Sequence, residues 1–152
     1  MRTALCCLFL AASALAEIRV STDFEGGNAE VVSLDQNTKT LRIMPELHEG
    51  RGWPCWWYLK LDGLTTGETI TLEVQAQTKP FRENTVLASA WCQPKHAWLS
   101  LDGETWSPSE AGTLSPEKVM RYTLKPTTAS LRLAWGPPFV PKDAEKLLAT
   151  LK

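Results

Sequence analysis

Residues Gly52–Gly67 read GWPCWWYLKLDGLTTG and hold three of the chain's seven tryptophans and one of its four cysteines. From Trp57 the residues alternate: Trp57, Leu59 and Leu61 point one way, and Tyr58, Lys60 and Asp62 the other. That is the period of a strand with one buried face. Asp62-Gly63 suits a tight turn, and Thr65-Thr66-Gly67 adds a second turn signal. A second alternating run follows at once, Thr69–Gln77 (TITLEVQAQ), with Ile70, Leu72, Val74 and Ala76 on one side. Two adjacent strands rich in aromatic and β-branched residues are expected to seed an antiparallel sheet. No catalytic group stands at its centre.

The same pattern extends in both directions. Upstream, Ile18–Phe24, Ala29–Leu34 and Thr40–Met44 alternate, separated by Gly26-Gly27-Asn28 and the polar segment Asp35–Lys39. Downstream, Val86–Cys92 reads as a strand, and Ala97–Leu101 leads through Asp102-Gly103 to Thr105-Trp106 as a hairpin. Ser107–Glu117 reads as a turn-rich crossing, and Val119–Leu124 and Ser130–Trp135 complete the sheet material. About nine short strands at this spacing predict an all-β fold, two antiparallel sheets packed as a jelly-roll-like β-sandwich. Gly136–Pro141, with three prolines, cannot continue a ladder. Beyond it, Ala144, Leu147, Leu148 and Leu151 fall at helical spacing with Asp143 near the start, which predicts a short helix over residues 142–152. A helix so short is marginal alone and has to dock, on the sandwich or on a following domain.

The first sixteen residues differ in kind. A positive start at Met1-Arg2, an apolar run Ala4–Ala14 and the small residues of Ala14-Leu15-Ala16 form the pattern of a cleaved export signal. The run is short for a membrane span. Export would place the protein outside the cytoplasm, secreted or periplasmic, with a domain over 17–141 and the helix after it. Of the four cysteines Cys55 and Cys92 then remain. A disulfide between them would contribute roughly 3–4 kcal/mol on the chain-entropy model. Two buried thiols packed beside tryptophans are the alternative.

Removing residues 1–16 from the 152 leaves 136, enough for one domain with a core. Sixteen Lys and Arg stand against seventeen Asp and Glu without a block of either sign. No basic footprint for nucleic acid and no polybasic membrane patch is present. Hydrophobic content of 43% with 9% aromatics excludes a disordered chain.

Catalysis finds little material. His48 has Arg51 three residues on and His96 has Leu99, so neither starts an HxxE pair. Two histidines without a suitably spaced carboxylate do not make a three-ligand zinc site. No GxSxG elbow accompanies the serines, and Cys92 and His96 in WCQPKH are separated by Pro94. No cofactor is expected. The tryptophans are the stronger signal: Trp57, Trp91 and Trp135 fall at buried phases, Trp53 and Trp56 border a Gly/Pro loop, and Trp98 and Trp106 flank the hairpin. With Arg51, Gln93, Lys95 and His96 as polar neighbours, that second group could cover a partner protein or stack on the rings of a glycan.

Three segments carry a resemblance. Trp57–Thr69 (WYLKLDGLTTGET), Ala97–Trp106 (AWLSLDGETW) and Leu133–Leu148 (LAWGPPFVPKDAEKLL) resemble, in order, the aromatic strand and turn, the hairpin and the exit segment of one domain. That domain is the N-terminal β-sandwich of zinc carboxypeptidases of the cytosolic carboxypeptidase type. The resemblance implies a non-catalytic accessory domain that supports or shields a zinc peptidase domain, or helps it select substrate. The partner would be a carboxypeptidase catalytic domain, in cis or in trans. A secreted carbohydrate-binding module and the N-terminal fragment of a complete enzyme are the other expectations.

Overall fold

The computed structural model describes residues 17–48, 50 and 52–151. The expected export signal, Glu49, Arg51 and Lys152 lie outside the described residues. Ten strands form two five-stranded sheets: β1 (Arg19–Ser21), β2 (Glu30–Asp35), β3 (Thr40–Met44), β4 (Tyr58–Asp62), β5 (Ile70–Val74), β6 (His96–Ser100), β7 (Ser107–Ala111), β8 (Thr113–Leu114), β9 (Met120–Leu124) and β10 (Ser130–Ala134). One sheet has the order β1-β4-β10-β6-β7 and is antiparallel throughout. The other runs β2-β3-β5-β9-β8, with β3 and β5 parallel between antiparallel neighbours. A single helix, α1 (Pro141–Thr150), follows the last strand.

The expected sandwich is therefore present, and its core is the apolar phase of the alternating strands. Leu59, Leu61, Leu131 and Leu133 from the first sheet meet Leu41, Ile43, Leu72, Val74, Tyr122 and Leu124 from the second, all buried. Trp57, fully buried just before β4, packs against Tyr122 with ring centroids 6.3 Å apart.

The two segments expected to seed one sheet do not pair. β4 belongs to the first sheet and β5 to the second, so the Asp62–Gly67 turns carry the chain across the sandwich. This crossing is held by the loop between β9 and β10: Leu64 N–H donates to Ala129 O (3.1 Å) and Gly67 N–H to Pro126 O (2.8 Å). Gly63 adopts φ +77°, and a Cβ there would stand 2.1 Å from Glu17 O. Glycine is required by both backbone and neighbour.

The segment Val86–Cys92 is not a strand. Its backbone closes locally, Trp91 N–H on Ala88 O and Cys92 N–H on Ser89 O, as a 3-10 turn over Ser89–Trp91. That turn drives Cys92 into the core and leaves Trp91 52% exposed. Trp135, expected inside, is 37% exposed just past the end of β10. Conversely, the expected crossing at Ser107–Glu117 contains two strands. β7 is an edge strand, where Pro108 costs no ladder bond. Gly112 alone then turns the chain from the first sheet into the second, with Met120 Sδ and Tyr122 Cε1 each 2.8 Å from where a Cβ would lie.

The expected helix forms, opening with Pro141 in its first turn and with Asp143 accepting from Val140 N–H (3.0 Å). Its leucines do not dock against the described residues: Leu147, Leu148 and Leu151 are 54%, 62% and 76% exposed. Lys146 reaches Glu104 in the β6–β7 loop at 2.6 Å. No described helix is long and apolar enough to cross a membrane.

Candidate functional site

Aromatic side chains from several loops and strands form one connected strip, in which Trp53, Trp91 and Trp135 are the most exposed rings and Tyr58 is buried. Trp53 meets Trp91 edge to face at 5.0 Å and Phe81 at 6.3 Å. Trp135 donates its indole N–H to Trp91 O (2.9 Å) and lies 6.3 Å from Trp56. Trp56 leads to Tyr58 at 6.5 Å, and Tyr58 to Trp106 at 5.5 Å and Phe24 at 4.7 Å. The strip ends on Arg132, whose guanidinium lies over the Phe24 ring at 5.0 Å and donates to Tyr58 Oη (2.8 Å).

Local structure explains why these rings collect there. Tyr58 and Arg132 occupy the outward phase of β4 and β10, opposite Leu59 and Leu133, and so share the outer face of the first sheet. Trp53 and Trp56 come from the turn before β4, Trp91 from the 3-10 turn, and Trp135 from the first residue after β10. Each aromatic contact is worth about 0.5–1.5 kcal/mol, so the rings hold one another in place. The surface is thus preformed, and the cost of ordering side chains on contact is small.

Of the residues singled out from sequence, Trp53, Trp56 and Trp106 lie in this strip. Trp98 sits on the outer phase of β6 beside Ala134 and Pro108. His96, half-buried at the start of β6, has Nδ1 2.8 Å from Ser109 O, and Lys95 is exposed just before it. Gln93 is not available to a ligand. It is 7% exposed, and its amide donates to Val74 O (2.8 Å) and Lys118 O (2.7 Å). Its chemistry is internal. Gln93→Leu is expected to lower stability by about 1–2 kcal/mol, because two interior carbonyls lose their donor. Urea denaturation reads this, and a loss under about 0.3 kcal/mol would show that the amide is dispensable.

Tyr58, 3% exposed, joins the strip from beneath, and four partly exposed members carry no surface signal in the sequence: Phe24, Trp91, Arg132 and Trp135. The signal that could have found the last is its position, directly before Gly136-Pro137-Pro138, where the ladder has to stop.

Cys55 and Cys92 are free thiols, Cys55 half-buried against the cluster that contains Cys92. Burial pushes the Cys92 thiol up to about 12, with the nearby Cys55 adding to the effect. A thiol held protonated in this way is a weak nucleophile and a poor metal ligand. Among the described residues no three His, Cys, Asp or Glu side chains come together as a metal site.

Comparison with known proteins fits this architecture. Residues 20–135 match the family model described as the cytosolic carboxypeptidase N-terminal domain. No curated protein sequence matches the chain. Among solved structures, a putative carboxypeptidase A from Shewanella denitrificans matches with a TM-score of 0.68 at 20% identity, over 88% of this chain and 33% of that one. A metallo-carboxypeptidase from Burkholderia cenocepacia matches with a TM-score of 0.68 at 18% identity, again over 88% and 33%. A metallo-carboxypeptidase from Pseudomonas aeruginosa, in complex with (2-guanidinoethylmercapto)succinic acid, matches at 0.64 and 16% identity over 87% and 33%. The chain thus spans about a third of the length of these structures, and the likeness to them is one of fold. By the family model covering residues 20–135, the chain belongs to the cytosolic carboxypeptidase N-terminal domain family.

Proposed function

We propose that this domain is a non-catalytic accessory to a zinc carboxypeptidase catalytic domain, in the same polypeptide or as a separate chain, and that the aromatic strip is the face it presents. The carrying observation is the half-exposed, mutually braced set Trp53, Trp91 and Trp135, continuous through Trp56 and Tyr58 with Arg132. Large exposed aromatic patches on a folded domain mark interaction surfaces, and Trp, Tyr and Arg are the anchors that carry most of the binding energy there. The helix supports the same reading. It leaves the sandwich beside Gly26, where Val140 Cγ1 packs, and Gly26 O accepts the indole N–H of Trp56. Its Leu147, Leu148 and Leu151 add exposed apolar surface on the helix that follows. Support, shielding and help in substrate selection are the roles such a face can perform. The leader-like first sixteen residues point to work outside the cytoplasm.

A carbohydrate-binding role draws on the half-exposed indoles of Trp53 and Trp91. It is the weaker reading, because the rings meet edge to face and the Gln93 amide is committed inside.

The test uses the part of the Burkholderia cenocepacia metallo-carboxypeptidase that this chain does not match, purified as a catalytic fragment. Calorimetry is expected to show a complex that the double variant W91S/W135S weakens by about 30-fold or more, the size of a hot-spot loss. Both residues are partly exposed, so folding should survive. Binding unchanged by the double variant would remove the strip from the proposal. A saturable shift of tryptophan emission with a polysaccharide, lost in W53S, would favour the glycan reading instead.

A further inference from the structure

A second site, lined by none of the strip's side chains, lies at the end of the sandwich where the two sheets part. It is an open slot of about 470 Å³. Leu99 and Leu131 of the first sheet and Leu124 of the second form its floor, and Pro126 and Thr127 one wall. Leu101, Thr105, Ser107 and Lys125 stand at the mouth. The volume falls in the range of small-molecule sites, and the apolar floor with a few polar groups at the rim is their usual composition.

The charges at the mouth are not equivalent. Asp102 is charged but tied into its own loop: Oδ1 accepts from Ser100 Oγ (3.0 Å), Glu104 N–H (2.8 Å) and Thr105 N–H (2.7 Å). Those bonds hold its carboxyl well below the usual carboxylate range and fix it as the brace of the β6–β7 loop. Lys125 is exposed and forms no ion pair with any described residue. The slot therefore offers an apolar interior and, at its mouth, one cation without an ion-pair partner among the described residues, beside a carboxylate anchored in the β6–β7 loop. Leu101, 56% exposed, adds an apolar side chain at the lip of the slot.

We propose that this slot binds a small amphipathic carboxylate, its aliphatic tail between Leu99, Leu124 and Leu131 and its carboxylate at Lys125 Nζ. The tail supplies the affinity by leaving water, and the cation selects the sign of the head group. The site shares no lining side chain with the aromatic strip, so it stands or falls apart from the accessory role.

The experiment follows backbone amide shifts of the purified protein with octanoate, octanol and octylamine, each below its micelle-forming concentration. Octanoate is expected to give saturable shifts centred on Leu99, Leu101, Leu124 and Leu131. Octanol, lacking the charge, should bind about fivefold more weakly, the scale of one exposed ion pair. K125E should weaken octanoate by about tenfold, since repulsion replaces attraction, and leave octanol unchanged. S107W places a ring across the mouth from an exposed position and should block both ligands. The proposal is overturned if octanoate gives no saturable shifts at these residues. Equal affinity for octanoate and octanol, or equal octanoate binding by wild type and K125E, overturns it as well.

Discussion

Replacing Trp57 with alanine is expected to cost about 3–5 kcal/mol of folding stability, the range for truncating a large buried aromatic. Two effects add at this position. The side chain is fully buried against Tyr122 between the sheets, so its removal leaves a cavity in the core. Its indole N–H also donates to Cys92 O (2.8 Å), the carbonyl that follows the 3-10 turn. With the donor gone, that buried acceptor has no partner. Trp57→Phe separates the two effects: it keeps much of the ring volume and loses the bond, and should cost about 1–2 kcal/mol. Urea denaturation of both variants, with an unchanged m-value, measures this. A loss below about 1 kcal/mol for the alanine variant would show that Trp57 does not organise the core. The exposed strip gives an internal comparison. Trp91 is 52% exposed, so its substitution should fall well short of the Trp57 loss.

That contrast between two tryptophans marks how far the sequence could be read. Period-two alternation located β3, β4, β5, β9 and β10 closely, because each places leucine, isoleucine, valine or tyrosine on one buried face. Alternation reports that a segment is a strand and says nothing of its neighbour. So β4 and β5 were assigned to one sheet, when the loop bonds of Leu64 and Gly67 carry the chain across to the other. The parallel pairing of β3 with β5 was invisible for the same reason. β7 and β8 were missed because the burial there is slight: Ser109 is the buried residue of β7, and Pro108 argues against any strand except an edge.

The surface was legible in residue type and not in exposure. A cluster of tryptophans around a Gly/Pro loop and a hairpin signalled an interaction face. Which ring points outward depended on backbone that alternation cannot describe. Trp91 shares its strand-like phase with Leu87, yet the 3-10 turn sends it to solvent and Cys92 inward. Gln93 looked like a free hydrogen-bonding group, and only the approach of Val74 and Lys118 shows its amide to be used. Arg132 carried no signal, because its value comes from Phe24 and Tyr58, 108 and 74 residues away in sequence.

Glu73 is expected to make the stability of the domain depend on pH in the acid range. It lies at the middle of the second sheet, with Arg42 and Arg121 directly opposite it on the flanking strands β3 and β9. Its carboxylate accepts from Arg42 Nε at 2.7 Å and from Arg121 Nε at 2.6 Å, and the residue is 4% exposed. Burial by itself would raise the Glu73 carboxyl, and the two guanidinium bonds outweigh it, so the group is held below its ordinary 4.5. A depressed folded value means that the stabilisation is present above the unfolded value and is lost as the pH falls through the folded one. The loss should begin below pH 4.5 and grow as the solution becomes more acid. Other carboxylates with lowered values, Asp35, Asp62, Asp102 and Glu117, contribute to acid unfolding as well. Comparison with Glu73→Gln isolates the one of interest. Glutamine keeps the shape and cannot ionise, and it leaves two like charges facing each other across the strand. At neutral pH the variant should be less stable by about 2–3 kcal/mol, at the low end for breaking a buried ion pair because both arginines reach solvent. As the pH falls through the depressed folded value, the gap between wild type and variant should shrink to about 1 kcal/mol or less, since protonation removes the same charge. If instead the gap keeps its full size from neutral to acid pH, the carboxylate charge is not what joins β3, β5 and β9.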